Sequence, residues 1–548
     1  MRRPCTVEVR SGREVFGTRR FARQDVRVAF DDTAIPLRSG FWQTIDLRPG
    51  VHLLTVQARL DAETAVLGRI LTLSFPPRRW AYGRATLDYA HWRRLRSDWI
   101  ERDAFALADH AAGLARRRRL AVVLEDDAPF PESLKQQILP PAAVTNWSRR
   151  ADLAAEADFL VFLDAGDELA PDALYRFACA LEQRPEIDML YGDDEPAVAA
   201  QEQLVRIKPD WSPTTLTRGD YIGSGVCIRA EHVQAIEAQG RYDLTLRLLR
   251  QGPGVEHIPV PLIRLARAPS DWSTQSKALA AYFQGASEAV CDVVALDTPN
   301  PCFRVTVSAP AVRRSIGVVL VGADAGTKSL LSGQPVGDDL VITPLAAGGP
   351  GTAPPDQTAV NRAVQGLATE LIFFLSSTSE FSFDGLAALT ETLHRGGLCA
   401  VGAGLSLGGG RRRIGSAIVR GRSEPIWLPR RRQALTGSPF HGVHNVSATP
   451  LEGLLIRKDA FEDAGGLQAA ESADDAAADL CLRLARKGGL VAVDPHVWVA
   501  AVSAWPWAAQ DLDVGSELGR RVADGFYNGE LLSCFPCDAR FEARPREL

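Results

Sequence analysis

The chain is predicted to be an α/β protein with two related domains, and three observations lead to this fold class. The strings "ADFLVFLDAGDELAPDALYRF", "GVCIRAEHV" and "YDLTLRLLRQG" return later as "TELIFFLSSTSEFSFDGLAAL", "GLLIRKDAF" and "ADLCLRLARKGG". Arg229 and Arg457, which end the matching "IR" pairs, lie 228 positions apart, far beyond the period of solenoid repeats. Each copy opens with an apolar strand, 159–163 or 371–375, followed by a polar turn and an amphipathic helix. These observations indicate a duplicated α/β domain.

The N-terminal part of the chain differs in character from the two copies. Short β-type runs such as "CTVEVR", "FWQTIDL" and "HLLTVQARL" recur every ten to twenty residues or so, with Gly, Pro and Asp between them. This pattern predicts a small antiparallel β-sandwich. The predicted organisation is a β-sandwich accessory module at 1–80, a helical linker at 81–117, a first α/β domain at 118–298, a linker at 299–312 and a second α/β domain at 313–548.

Composition narrows the class of protein. The 548 residues are 46% apolar and 24% charged, which is typical of a globular chain with several domains. A net charge of −5 argues against nucleic acid as the main partner. The nine cysteines are scattered, which favours a reducing compartment, and neither a secretory signal nor a membrane-spanning stretch is predicted. We therefore expect a cytoplasmic protein, with peripheral association at the inner membrane as an open alternative.

A ligand site is expected where each opening strand ends. In open α/β sheets, ligands bind at the carboxyl ends of the strands. The residues there are Asp164-Ala165-Gly166-Asp167 in the first copy and Ser376-Ser377-Thr378-Ser379 in the second. The first turn offers carboxylates to a cation, whereas hydroxyls alone are poor ligands for Mg²⁺ or Mn²⁺.

The strings of the first copy, taken together, resemble a known family. "FLDAGDELAPDAL", "DMLYGDDE", "KPDWSPTTL", "GDYIGSGVCIR", "YDLTLRL" and "HIPVPL" occur in the order found in family 2 glycosyltransferases with a GT-A fold. The second copy is similar to the second module of tandem members, in "NRAVQGLATELIFFL", "AVGAGL", "GLLIRKDAFEDAGGL" and "DLCLRLARKGG". The N-terminal module resembles one that some tandem members carry. The resemblance thus implies two tandem GT-A-like (nucleotide-diphospho-sugar transferase) domains after a small β-sandwich.

The resemblance also implies a chemistry, namely transfer of a sugar from a nucleotide-activated donor to an acceptor hydroxyl. In such enzymes an Asp-x-Asp turn holds a divalent cation on the donor diphosphate, and a later carboxylate deprotonates the acceptor. The cation neutralises the charge that develops on the leaving diphosphate, and the attacking hydroxyl must lose its proton. For this chain we expect Mg or Mn in the first domain and no cofactor in the second.

Several positions depart from the family pattern. In the metal turn Gly166 replaces the second Asp, so the predicted metal ligands are Asp164 and Asp167. Arg241 occupies the position of the catalytic base, and an arginine does not deprotonate an alcohol at neutral pH. Asp243 is the remaining catalytic candidate, although its helical register favours structural hydrogen bonds. The predicted substrate-binding residues are Asp193, Asp194, Glu195, Asp210 and Trp211.

These candidates each have a structural alternative. Asp164 and Asp167 fit a strand-end turn and helix cap as well as a metal site. The run Asp193-Asp194-Glu195 fits a solvated acidic loop, and Trp211 fits a packing anchor. In the second copy Ala477 stands at the base position, so that copy is predicted to be inactive.

Both copies are also short in the half that would hold the nucleotide. Only about forty residues separate the first strand, which ends at Leu124, from Asp164. The resemblance implies about ninety residues of βαβ structure there, and one crossover unit needs about thirty, so the interval has room for about one unit. We therefore predict that at least one strand and one helix are missing.

Two functions remain open from the sequence. The first is a glycosyltransferase-like protein of cell-surface polysaccharide or glycoconjugate assembly, with at most weak nucleotide-sugar-dependent transfer in the first domain. The alternative is an inactive pseudo-glycosyltransferase that acts as a glycan- or protein-binding scaffold. The implied partners are a nucleotide sugar and a glycan acceptor in the first case, and a protein bound by the β module or the second domain in the other.

Overall fold

The structure is a computed structural model that describes part of the chain in detail. It describes residues 6–11, 14–17, 19–21, 40–42, 50–60, 63–74, 89–196, 208–266, 272–284, 290–296, 301–307, 315–322, 331–332, 340–345, 355–394, 397–419, 422–428, 442–501, 505 and 507. Two compact units are present: Met1–Arg118 with Ile138–Pro140 and Glu542–Leu548, and Arg119–Gln137 with Pro141–Phe541. Both copies of the repeat lie in the second unit.

The first unit contains β-strands followed by two helices. Its strands are β1 (Thr6–Ser11), β2 (Glu14–Gly17), β3 (Arg19–Phe21), β4 (Gly40–Trp42), β5 (Gly50–Leu60) and β6 (Glu63–Ser74). Four of them form an antiparallel sheet in the order β2-β1-β5-β6, and β3 pairs with β4. The helices that follow are α1 (Tyr89–Arg102) and α2 (Ala104–Ala115), in the segment predicted as a helical linker.

The first α/β domain alternates strands and helices as the sequence predicts. Its strands are β7 (Leu120–Leu124), β8 (Val144–Asn146), β9 (Phe159–Leu163), β10 (Glu168–Leu169), β11 (Met189–Pro196), β12 (Val226–Arg229), β13 (Val255–Leu265), β14 (Val290–Ala295) and β15 (Phe303–Val307). Its helices are α3 (Arg150–Ala154), α4 (Ala173–Gln183), α5 (Pro213–Leu216), α6 (Ala230–Ala235), α7 (Arg241–Leu249) and α8 (Trp272–Gln284). Short 3₁₀ turns lie at Glu132–Gln136 and Trp147–Arg149.

The second α/β domain has the same alternation with an added hairpin. Its strands are β16 (Ile316–Val321), β17 (Leu331–Ser332), β18 (Leu340–Leu345), β19 (Leu371–Ser376), β20 (Phe381–Ser382), β21 (Leu398–Leu407), β22 (Arg411–Val419), β23 (Arg422–Leu428), β24 (His444–Asn445), β25 (Leu454–Arg457) and β26 (Leu490–Ala500). Its helices are α9 (Gln357–Gln365), α10 (Phe383–Leu393), α11 (Lys458–Asp463) and α12 (Ala473–Arg486), with a 3₁₀ turn at Gly408–Gly410.

The two domains share one strand order. In the first, the sheet runs β10-β13-β11-β12-β9-β7-β8, in which β9 is parallel to β7 and antiparallel to β12. In the second, β26, β21, β25, β19, β16 and β18 follow one another in the same way, and β19 is parallel to β16 and antiparallel to β25. The two strand pairs β11–β13 and β21–β26 are both parallel with register shifts. The predicted α/β fold class is confirmed.

The opening strands form the centre of each core. Every residue of β9 and β19 is buried, because helices cover both faces of each sheet. Three described helices begin at side-chain caps that the sequence supplies: Asp356 accepts the Ala359 N–H, Ser382 accepts the Gly385 N–H, and Ser472 accepts the Asp475 N–H. Among the described residues, no helix is both long enough and apolar enough to cross a membrane.

The two α/β domains contact each other directly through buried polar groups. Asn445 Oδ1 of the second domain accepts hydrogen bonds from the Thr214 N–H at 3.0 Å and the Ser212 hydroxyl at 3.1 Å in the first. These bonds fall at the start of α5, directly after Trp211. The second domain therefore holds a loop that the sequence singles out for substrate binding.

The structure shows which elements lie in the shortened first half of the first domain and in the predicted linker after it. Between β7 and β9 the structure contains only the three-residue β8, the short α3 and two 3₁₀ turns, which is less than a full crossover helix on each side. The predicted linker at 299–312 includes β15, which pairs antiparallel with β14 and buries Phe303 in the core of the first domain. This strand therefore belongs to the first α/β domain in packing terms.

Candidate functional site

The turn after β9 is built by hydrogen bonds to its backbone. The Asp164 N–H donates to the Ser224 hydroxyl at 3.0 Å, and the Ala165 N–H donates to Glu125 Oε2 at 3.1 Å. Gly166 has a φ of 83°, a left-handed conformation that side-chain-bearing residues rarely adopt. A glycine at this position therefore suits the turn.

Arg241 binds the predicted metal ligand Asp164. Its guanidinium donates from Nε to Asp164 Oδ1 and from Nη2 to Asp164 Oδ2, both at 2.9 Å, and from Nη1 to Asp220 Oδ2 at 2.6 Å. The Asp220 side chain is only 2% exposed and the Asp164 side chain 33% exposed. Burial alone would lower the pKa of Arg241, but the charges of Asp164 and Asp220 outweigh it and raise this pKa. We call Asp164, Asp220 and Arg241 the arginine cluster.

The fold brings the arginine cluster together from three elements. Asp164 follows the end of β9, Asp220 lies in the turn before β12, and Arg241 is the first residue of α7. Asp220 is fixed in turn, because its Oδ1 accepts the Gly223 N–H at 2.9 Å. Such a planar fork between two oriented carboxylates is a geometry that arginine supports and lysine does not.

Asp167, the second predicted metal ligand, lies beside this cluster but is held by the backbone. Its Oδ1 accepts the Ala266 N–H at 2.8 Å. Burial raises the pKa of Asp167 to about 6, against the lowering effect of the hydrogen bonds from Ala266 and Ser224. With this pKa, Asp167 is mostly ionised at pH 7 and takes up a proton as the pH falls toward 6, so at neutral pH it is the hydrogen bond from the Ala266 N–H that engages it.

A second polar cluster contains two of the predicted substrate-binding residues. His257 Nε2 lies 3.0 Å from Asp193 Oδ1, and His257 Nδ1 lies 2.7 Å from Asp210 Oδ1. The imidazole also stacks on Tyr191, with 4.8 Å between the ring centroids. Burial would lower the pKa of His257, but Asp193 and Asp210 outweigh it and raise the pKa to about 9. The ring is thus an imidazolium held between two carboxylates, which we call the histidine cluster.

The other predicted substrate-binding residues also have protein partners. Asp194 and Lys208 form a fully buried ion pair with 3.0 Å between Nζ and Oδ2. Glu195 accepts from Arg264 Nε at 3.1 Å, and Trp211 packs against the core of the first domain. Lys208 Nζ also donates to the Ile222 carbonyl, two residues after Asp220, and so connects this region to the arginine cluster.

Asp243 has a place within α7 that suits helix stabilisation. Its Oδ2 accepts the Gln239 N–H at 3.0 Å, and its Oδ1 accepts from Arg247 Nε at 2.9 Å. These are the structural hydrogen bonds that its helical register favours. Both carboxylate oxygens are engaged with residues of the same helix and its start, so Asp243 is poorly placed to receive a proton.

The second domain presents a different arrangement at the matching turn. The Ser376 N–H donates to Glu452 Oε1 at 3.1 Å, and Ser376 Oγ lies 3.0 Å from Thr378 Oγ1. Glu452 lies 228 positions after Ser224, the same spacing that relates Arg457 to Arg229. Burial raises the pKa of Glu452 to about 7, although the Ser376 N–H and the Ser379 hydroxyl lower it. Ala477, at the matching base position, is fully buried.

The residues of the first turn do not fit a divalent cation. Both oxygens of Asp164 are bound to one guanidinium, and Asp167 is bound to a backbone N–H. Within the described part of the chain, the one group of three potential ligands close enough to share a metal is Asp188, Glu231 and His232. That group lies at the opposite end of the sheet, at the start of β11, and Arg229 already pairs with Asp188.

No family model matches the chain. The O-antigen biosynthesis protein RfbC of Myxococcus xanthus is 30% identical over 186 residues, which cover 32% of this chain and 13% of that protein. The chain resembles a polysaccharide biosynthesis protein. The match spans about an eighth of the relative, so the activity of the whole relative is not assigned to this chain.

Solved glycosyltransferase structures are similar to this chain only at low TM-scores and low sequence identity. GalNAc-T7 with UDP, GalNAc and Mn²⁺ has 10% identity and a TM-score of 0.26, covering 40% of this chain and 48% of that one. TarS 1-349 of S. aureus with UDP-GlcNAc has 10% identity and a TM-score of 0.23, covering 30% and 66%. Glucosyl-3-phosphoglycerate synthase of Mycobacterium tuberculosis with Mg²⁺ and UDP has 10% identity and a TM-score of 0.25, covering 36% and 91%.

The sequence alone does not predict that Asp220 and His257 belong to these clusters. Asp220 and His257 lie within strings that carry the family resemblance, but neither string shows which side chains meet. An arginine at the position of a base is a signal in itself, because a buried guanidinium requires carboxylate partners. Glu452 could have been found by extending the alignment of the two copies from the "IR" pairs back to the preceding turn.

Proposed function

We propose that this chain is a glycosyltransferase-like protein of cell-surface polysaccharide or glycoconjugate assembly, whose first domain transfers sugar weakly or not at all. The family resemblance of the first copy and the match to an O-antigen biosynthesis protein support the assembly role. The observation that carries the limit on turnover is the ion pair between Arg241 and Asp164. In this ion pair the predicted metal ligand, Asp164, is bound by Arg241, the residue at the base position.

The chemistry of the cluster explains the weak turnover. A positioned general base contributes about 10²- to 10⁴-fold in rate, and neither Arg241 nor the hydrogen-bonded Asp243 can supply it well. The guanidinium is already neutralised by two carboxylates, so it offers little attraction to a diphosphate. Asp167, with a pKa raised to about 6, titrates close to neutral pH, but it is buried and holds a backbone N–H.

The short first half of the domain supports the same proposal. In a GT-A-like domain that half would hold the nucleotide, and here only β8, α3 and two 3₁₀ turns lie between β7 and β9. The acidic residues after β7 are used structurally: Glu125 accepts the Ala165 N–H, and Asp126 accepts the Ser148 N–H at 3.0 Å. Donor affinity is therefore expected to be low.

The test is donor hydrolysis and transfer across a panel of nucleotide sugars, with the full chain. Wild type is expected to turn over any donor only slightly above the uncatalysed rate, and Asp243→Asn is expected to leave that rate unchanged. Arg241→Asp restores an acid at the base position and is compared with Arg247→Asp, a charge reversal on the same helix. Robust wild-type turnover that collapses in Asp243→Asn would overturn the proposal. No donor binding at all, with retained affinity for a glycan, would favour the scaffold alternative.

A further inference from the structure

The arginine cluster is a closed unit of charges. Three nitrogens of one guanidinium meet three oxygens of two carboxylates, at 2.6 to 2.9 Å. Asp220 is almost fully buried and Arg241 is 15% exposed, so the guanidinium charge is largely buried together with the carboxylates that balance it. Charge-assisted, bidentate contacts of this kind are strong and directional.

The position of the guanidinium matters as much as its bonds. It lies at the carboxyl end of β9, between the carboxylate of Asp164 and that of Asp220. A divalent cation at this strand end would need the same oxygens, since hard cations bind clustered carboxylates. The guanidinium and such a cation therefore exclude each other.

The second domain provides an independent comparison. There, Ser376 stands where the first domain has Asp164, and Ala477 stands where it has Arg241. The carboxylate and the cation are thus absent together, and the turn is held by Glu452 instead. This joint absence fits a pair of residues that function as partners rather than two separate ligand contacts.

We propose that Arg241 serves as an internal cation that takes the place of a divalent metal ion in the first domain. The turn after β9 is then held without metal, and any ligand that binds the first domain does so independently of Mg²⁺ or Mn²⁺. Cation binding is measured without turnover, so failure of this proposal and failure of the proposed function are distinguishable.

The experiment is a Mn²⁺ titration of the full chain, in which electron paramagnetic resonance measures the concentration of free Mn²⁺. Wild type and Asp164→Asn are expected to give the same binding curve. Arg241→Ala is expected to gain a Mn²⁺ site, with affinity raised by about a factor of ten or more, because the guanidinium charge no longer repels a second cation at this range. The double variant Arg241→Ala/Asp164→Asn is expected to lose that site again.

Two controls make the outcome interpretable. Arg247→Ala removes an arginine from the same helix and is expected to gain no site. His232→Ala removes any background binding at Asp188, Glu231 and His232. Wild-type Mn²⁺ binding that Asp164→Asn abolishes would overturn the proposal, even if Arg241→Ala fails to fold. A folded Arg241→Ala variant without a new site would also overturn it.

Discussion

Replacement of Arg241 by methionine should destabilise the first domain strongly, and the structure gives the size of the effect. Methionine keeps much of the side-chain volume but removes the charge from between Asp164 and Asp220. Removing one partner of a buried ion pair typically costs about 3–5 kcal/mol, because the other charge remains buried without compensation. Asp220, at 2% exposed, takes most of that penalty, whereas Asp164, at 33% exposed, can turn to water. We therefore expect a loss near the lower end, about 3 kcal/mol.

The assay is urea unfolding of the full chain, with hydrogen exchange of peptides from 213–249 as a local readout. Arg149→Met is the control, because Arg149 and Asp152 form an exposed pair at 3.8 Å with side chains 76% and 78% exposed. Such surface pairs contribute about 0–1 kcal/mol, so this control should change the unfolding midpoint little.

The pH dependence of Arg241→Met provides a second signature. A buried carboxylate without a partner binds a proton more readily in the folded state than in the unfolded state. The variant should therefore be most destabilised above neutral pH, and its deficit should shrink as the pH falls toward 5. Equal small losses in Arg241→Met and Arg149→Met, or a deficit that does not change with pH, would refute the buried ion pair.

Three further predictions follow from other buried polar groups. Glu452 has a pKa raised by burial to about 7, so its protonated form stabilises the folded state, and wild type should lose about 3 kcal/mol of stability as the pH rises from about 4.5 to above 7. Urea unfolding at several pH values should show that Glu452→Gln removes this dependence of stability on pH. An unchanged dependence would contradict the assignment. Asp193 and Asp210 raise the pKa of His257 to about 9, although burial alone would lower it. The stability that the charged ring contributes is therefore present below pH 6.5 and lost as the pH rises through 9. The ring proton signals of His257 in nuclear magnetic resonance should not titrate between pH 6 and 8, and a midpoint near 6.5 would disprove the imidazolium. Asn445→Ala removes the bonds from Ser212 and Thr214, together with the bond that Asn445 Nδ2 donates to the Val491 carbonyl within the second domain, and should cost about 1–3 kcal/mol by urea unfolding. Thr217→Ala, whose hydroxyl donates to the Thr214 carbonyl, is the control. An equal loss in both variants would show that the contact between the domains adds no more stability than a local bond.

The fold could be predicted from the sequence because its signals are local. An apolar run such as Phe159–Leu163, a polar turn and an amphipathic helix each specify one element within about twenty residues. The duplication then supplies the order of the elements twice. The segment at 299–312 was predicted as a linker because its β signal is short; the pairing of β15 with β14 and the burial of Phe303 are tertiary effects.

The candidate site could be predicted only in part, because its contacts join distant residues. The sequence marks Arg241 as an unexpected residue at a base position and predicts structural bonds for Asp243. It does not show that Arg241 reaches Asp164, which lies 77 positions earlier, or Asp220, which lies 21 positions earlier. The histidine cluster is missed for the same reason, since His257 meets Asp193 and Asp210 across 64 and 47 positions. Long-range pairing of charges depends on strand register and burial, which a pattern of residue types does not encode.

A crystal structure of the full chain grown with Mn²⁺ and UDP tests the central claim most directly. The anomalous difference map at the manganese edge should show no ion at the turn after β9, and Arg241 should remain hydrogen-bonded to both Asp164 and Asp220. A manganese ion bound to Asp164, with Arg241 displaced from it, would contradict the claim that the guanidinium takes the place of the metal.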